Sequence, residues 1–92
     1  MLISFDPEKN SRNVQMRGLS FTQVNDFDFE TAFVEVDLRK EYGETRYVAI
    51  GFLHQRLHVL CFTETDDGIR VISFRKANDR EVQRYAKTKI TS

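Results

Sequence analysis

The stretch Gly68-Ile69-Arg70-Val71-Ile72-Ser73-Phe74-Arg75-Lys76-Ala77-Asn78-Asp79-Arg80-Glu81-Val82-Gln83-Arg84-Tyr85 reads as a strand that turns directly into a helix. Val71, Ile72 and Phe74 form the centre of a β-rich run over 69–76. Asn78 offers a side-chain oxygen to the free N–H groups of a helix start, and Glu81, three residues on, completes a capping box. Val82, Tyr85 and Ala86 recur at i, i+3, i+4 and predict an apolar stripe against a sheet. Arg80, Arg84 and Lys87 make a second, cationic stripe. Arg70, Arg75, Lys76, Arg80 and Arg84 therefore gather at one strand-to-helix corner.

Upstream of that corner the chain supplies a scaffold. Leu2-Ile3-Ser4-Phe5 predicts a first strand. Asp6 as cap, Pro7 at the first helical position and Glu8 in the first turn open a helix that stops at Gly18. Val14 and Met16 are its only large apolar residues, so it is expected on the surface. Ser20 with Gln23 is another capping box, and Phe21, Val24 and Phe27 set a short second helix against the sheet. Three more strands are expected over 32–38, 46–53 and 57–63, before the one over 69–76. A hairpin turn falls at His54-Gln55-Arg56, and Asp67-Gly68 is a further turn signal. The order is β-α-α-β-β-β-β-α. Short connections between the last four strands predict an antiparallel sheet in an α+β fold, with Ile50, Val59 and Ile72 buried.

The 92 residues suffice for one domain, spanning 1–92. The net charge is zero, so there is no overall signal for a polyanion. The distribution is uneven: residues 25–45 are rich in Asp and Glu. From Arg70 onward Lys and Arg predominate, with Asp79 and Glu81 the acids. That asymmetry points to an anionic ligand near the carboxy-terminal region, although a solvated basic helix face gives the same pattern. The single cysteine, Cys61, sits in an apolar run and excludes an intrachain disulfide, which fits a reducing compartment. No signal peptide or membrane-spanning run is visible, and a cytoplasmic protein with no membrane association is expected.

Chemistry narrows the choices. His54 and His58 fall on a turn and a strand, and one cysteine cannot complete a structural zinc site, so neither metal nor cofactor is expected. Ser73 and Cys61 lie mid-strand with no base linked to them in sequence. The cationic corner suits phosphate. An enzyme that uses the ribose 2′-hydroxyl as its nucleophile needs no metal, only donors for a doubly charged phosphorane and a group that moves protons. The same cations also suit passive phosphate binding or an acidic partner protein. Strand alternation puts Arg70 and Arg75 on opposite faces, so they act on one phosphate only if a bulge intervenes or Arg75 swings round the strand end.

Several pieces resemble, in order and spacing, the BrnT family of bacterial type II toxins. These are Phe5-Asp6-Pro7-Glu8-Lys9 with Asn13, Gly18 and Phe21; then Glu44, Arg46, Ala49, Ile50 and Gly51; then Val59, Phe62, Thr63 and Glu64; and last Ile69 through Ser73 with Arg75, Ala77, Arg80, Glu81 and Tyr85. The resemblance implies a RelE-like fold and a metal-independent endoribonuclease that inhibits translation. It also implies a BrnA-type antitoxin as partner, RNA as substrate, and operator DNA bound only through the antitoxin. It makes Arg70 and Arg75 the catalytic candidates, with Tyr85 or Glu64 assisting proton transfer. Lys76, Arg80, Arg84 and Arg46 become candidates for RNA binding. The chain departs from the family at Met16-Arg17-Gly18, where Lys-His-Gly is usual, and at Thr65, where Arg is frequent. A rival reading is a catalytically inactive homologue that keeps only its antitoxin-binding surface.

Overall fold

A computed structural model describes residues 1–90. Its elements are β1 (Leu2–Phe5), α1 (Pro7–Arg17), a 3-10 helix (Phe21–Asp26), β2 (Phe33–Val36), β3 (Tyr47–Leu53), β4 (Arg56–Thr65), β5 (Gly68–Lys76) and α2 (Asp79–Ile90). The α+β order is the expected one. The local signals act as read. Asp6 accepts from the Glu8 N–H at 2.9 Å, Gly18 closes α1 with φ 69°, and Ser20 with Gln23 caps the 3-10 helix. Asn78 and Glu81 exchange both bonds of their capping box at 2.9 Å.

The sheet runs β1-β5-β4-β3-β2. The pairs β3–β4 and β4–β5 are antiparallel, as the short turns at 54–55 and 66–67 require, and β2–β3 is antiparallel across the longer connection 37–46. β1 departs from the antiparallel expectation: it lies parallel to β5, Leu2 opposite Gly68 and Phe5 opposite Val71. No turn links these two strands, so no local geometry dictates their direction. Gly68 takes on a second meaning here. Its φ is outside the left-handed region, so the turn does not demand glycine. A Cβ at Gly68 would stand 1.8 Å from the Leu2 carbonyl oxygen, so only glycine lets β1 approach.

Alternation gives the sheet two faces. On the first, Leu60, Phe62, Ile69, Val71 and Phe74 meet Leu19, Phe21, Val24 and Phe27 from the amino-terminal half. Rings meet edge to face, Phe27 with Phe29 at 4.9 Å and with Phe74 at 6.1 Å between centroids. Gly51 leaves room for the Phe27 ring, since a Cβ there would come within 2.7 Å of Phe27 Cζ. Helix α1 lies across the β5 side of this face with Val14 and Met16 exposed, as its composition predicts. The buried residue of α1 is polar: the Asn13 amide donates to the Leu19 and Phe74 carbonyls at 3.0 and 2.9 Å. β1 extends only as far as Val71, so the Phe74 carbonyl lies beyond it, and Asn13 satisfies it.

The second face is only partly covered. Ile50, Leu57, Val59, Ala77 and Tyr85 form a smaller core beneath α2. The helix docks through a stripe rotated from the expected one. Glu81, Tyr85 and Thr88 face inward, whereas Val82 and Ala86 are exposed, because the Glu81 and Tyr85 side chains are both held, by Arg75 and the Thr31 carbonyl. Ile50 and Val59 are buried as predicted, but Ile72 is half-buried. The reason is a β-bulge. Cys61 pairs with Ser73 and Phe62 with Val71, so Ile72 has no partner across the ladder.

Candidate active site

The bulge decides where the arginines go. Before it, Ile69 and Val71 point to the aromatic face and Arg70 to the other; after it, Phe74 is on the aromatic face and Ser73 and Arg75 are opposite. One extra residue turns an odd separation into an even one, so Arg70 and Arg75 share a face. That face is the one α2 leaves half open. Beside the helix lies a cavity of about 560 Å³ with Val48, Val59, Cys61 and Ser73 among its lining residues. Glu35, Asp37 and Arg39 also line it from the β2 side, and Arg75, Glu81 and Arg84 from the α2 side.

Every arginine around this face meets a carboxylate. Arg75 forms a two-pronged pair with Glu81 at 2.8 and 2.8 Å, and its Nη1 also reaches the Lys76 carbonyl. These bonds raise the Arg75 pKa and hold the Glu81 carboxyl below its usual range. Arg84 pairs with Glu35 at 2.6 Å and lies over the Phe33 ring. Glu44 accepts from Arg70 at 2.8 Å and from Arg46 at 3.2 Å, and the Arg46 guanidinium stacks 4.0 Å from the Tyr42 ring centre. Asp37, at the end of β2, accepts from the backbone N–H, Nε and Nη2 of Arg39 and from the Tyr42 hydroxyl. The bonds from the Arg39 side chain, ahead of the others, hold Asp37 far below the ordinary carboxylate range despite its burial. Burial in turn raises the Cys61 thiol, which suits an inert residue. On this face the guanidinium groups are oriented by their carboxylate partners.

The other candidates divide. Arg46 and Arg84 join Arg70 and Arg75 on the open face. Lys76 stands opposite His58 on the aromatic side of the sheet, and Arg80 is exposed in the first turn of α2. Tyr85 is a core residue: it is buried, its hydroxyl donates to the Thr31 carbonyl at 3.0 Å, and its ring packs edge-on against Phe52. That leaves its proton engaged away from the cavity. Glu64 is likewise displaced, to the aromatic face, where its charge raises the Tyr47 pKa through a hydrogen bond. Sequence reading missed Glu35, Asp37, Arg39, Tyr42 and Glu81 as members of the site. Glu81 serves as both cap of α2 and partner of Arg75. Among the described residues no His, Cys, Asp and Glu side chains group as a metal site, and no helix is long and apolar enough to cross a membrane.

Residues 5–81 match the family model described as the ribonuclease toxin BrnT of type II toxin–antitoxin systems. The 1.1 Å crystal structure of the Brucella abortus ribonuclease toxin BrnT is similar to this chain, with a TM-score of 0.65 and 25% identity. The likeness covers 84% of this chain and 96% of that one. No curated protein matches the sequence.

Proposed function

This chain belongs to the BrnT family of ribonuclease toxins of type II toxin–antitoxin systems, and from that premise we propose that it is a metal-independent endoribonuclease that inhibits translation by cutting RNA and is neutralised by a BrnA-type antitoxin. The observation that carries the reading is the bulge at Ile72, which sets Arg70 and Arg75 on one open face beside a cavity. The RNA 2′-hydroxyl attacks the adjacent phosphorus and gives its proton to water, the P–O5′ bond breaks as water protonates the departing 5′-oxygen, and the Arg75 and Arg70 guanidinium groups take up the charge of the phosphorane between them. Arg84 and Arg46 hold flanking phosphates. Glu81 keeps the Arg75 fork aimed until the phosphate arrives. The kinship with RelE-like ribonucleases, and operator binding through the antitoxin alone, belong to the same proposal.

The test is cleavage of RNA by the purified chain in the presence of EDTA, with analysis of the new ends. Cutting that persists and leaves a cyclic phosphate is expected. Cutting that stops with EDTA overturns the metal-independent mechanism. Expression in growing bacteria, with and without the neighbouring gene, tests toxicity and neutralisation together. One observation favours a second reading, a non-cleaving module that binds antitoxin. Thr65 lies on the same side of β4 as Thr63, whose partner is Arg70, so the side chain that is frequently Arg in the family is a short hydroxyl beside this face. Absence of cleavage with retention of a tight antitoxin complex supports that reading.

A further inference from the structure

Asp37 is unusual for an acid at the end of an edge strand. Its side chain is only 2% exposed, yet it accepts from three Arg39 donors and from Tyr42. Burying a carboxylate is costly unless it is fully bonded, and here the bonds fix an arginine whose own side chain is 77% exposed. A surface arginine ordinarily gains little from such a pair. What the arrangement secures is orientation. Of the five guanidinium N–H groups, Nε and one on Nη2 are spent on Asp37. The other three have no acceptor within the described residues, and Arg39 lines the cavity that Arg75 also lines. The two like charges feel one another, since Arg39 opposes the protonation of Arg75. Tyr42, bonded to Asp37 and stacked under Arg46, ties the segment after β2 to β3.

We propose that Arg39, positioned by Asp37, is a phosphate-binding residue that grips the RNA backbone on the β2 side of the cavity while Arg75 engages it from the α2 side. The inference rests on the reading of this face as the RNA-binding site. A polyanion between the two arginines relieves their repulsion and uses the three spare donors. Arg39 acts in binding, and the bond-breaking step is left to the β5 arginines.

The experiment measures binding of a fluorescent 2′-O-methyl oligoribonucleotide, which cannot be cut, over a series of salt concentrations. Losing one phosphate contact lowers the slope of log affinity against log salt by about 0.7 for a single strand. Arg39→Ala is expected to lower it by that amount and to weaken binding at low salt several-fold. Arg12→Ala, on α1 against the opposite face, is expected to change neither. Asp37→Asn is expected to reproduce the Arg39→Ala loss, with no further loss in the double variant. An unchanged slope in Arg39→Ala, alongside a loss in Arg75→Ala, overturns this inference and leaves the ribonuclease reading standing. A wild-type protein that binds no oligonucleotide overturns both. A lower melting temperature in Asp37→Asn with an unchanged slope reduces Asp37 to a structural residue and overturns its positioning role.

Discussion

The two faces of one sheet are built from the same strands and to opposite rules. The aromatic face is apolar, covered by α1 and the 3-10 helix, and its rings interlock around Phe74, which is fully buried. The other face is half closed by α2 and half open, and its open half is held by ion pairs between exposed or half-exposed groups. Alternate residues of β5 serve one face or the other, so neighbours such as Phe74 and Arg75 have separate tasks. The contrast teaches that stability and the proposed ligand binding are divided by strand parity, and that the bulge at Ile72 is where the parity is reset to collect both arginines on the open side.

The sharpest way to break this division is to exchange the effects of those two neighbours. Phe74→Ala should cost about 3–5 kcal/mol of stability and take activity with it through unfolding. Arg75→Ala should leave the protein folded, with a melting temperature lowered by the equivalent of about 1 kcal/mol because Glu81 loses its partner. RNA cleavage should fall by roughly 10²–10³-fold. Melting and cleavage measured on the same two preparations decide the matter. If Phe74→Ala melts like wild type, or Arg75→Ala cuts like wild type, the division by parity fails.

Asn13→Ala probes the seam between α1 and β5. It leaves the buried Phe74 and Leu19 carbonyls without their donor, and a loss of about 1–3 kcal/mol is expected by denaturant unfolding. Cleavage per folded molecule should be unchanged, since α1 covers the other face. A fall in that rate would mean that the aromatic face also shapes the site.

The pH dependence sharpens the comparison further. His58 is buried against Phe74, and burial lowers its pKa below the ordinary value of 6.5. The neutral form is therefore the one that the fold favours. Its contribution is complete above pH 6.5 and is lost as the pH falls below that value, where the unfolded chain takes up the proton first. Glu81, with its pKa held down by Arg75, adds a second loss only below its ordinary value of 4.5. Melting temperature should decline in the first range, and His58→Gln should flatten that part of the profile. A profile flat from pH 7 to 5 in the wild type would contradict the assignment.

The smallest effect is expected at Arg70. Its pair with Glu44 joins two partly exposed groups, and Arg70→Ala should shift stability by less than about 1 kcal/mol while still reducing cleavage. A larger loss of stability would mean that the open face is a structural element in its own right.

Much of the fold was legible because its signals are local. Asp6 with Pro7, Ser20 with Gln23, and Asn78 with Glu81 each satisfy backbone groups within three or four residues, and each is where the sequence placed it. The direction of β1 was not legible, since it depends on a contact between Leu2 and Gly68 that no turn encodes. Gly68 beside Asp67 imitated a turn residue and concealed the close approach. The site was half legible. Arg70 and Arg75 stood out by charge, but their common face depends on a bulge with no marker in Val71-Ile72-Ser73. Tyr85 lay on an apolar stripe and on a cationic helix, and only packing showed which applied. Asp37 and Arg39 read as the end of a strand and the start of an exposed linker, because burial of a carboxylate is a tertiary property.

The parallel pairing of β1 with β5 sets an order of events during synthesis. The amino-terminal strand leaves the ribosome early, yet the strand beside which it lies is made only after β2, β3 and β4. Until Gly68–Lys76 has emerged, Leu2–Phe5 has no neighbour, and closing a loop of that length must wait. The same late segment carries Arg70 and Arg75, and Glu81 and Arg84 follow it. A nascent or truncated chain that has made β2, β3 and β4 but not β5 therefore lacks Arg75 and Arg84, which line the cavity from the α2 side, and the proposed groove is complete only after the last strand has docked.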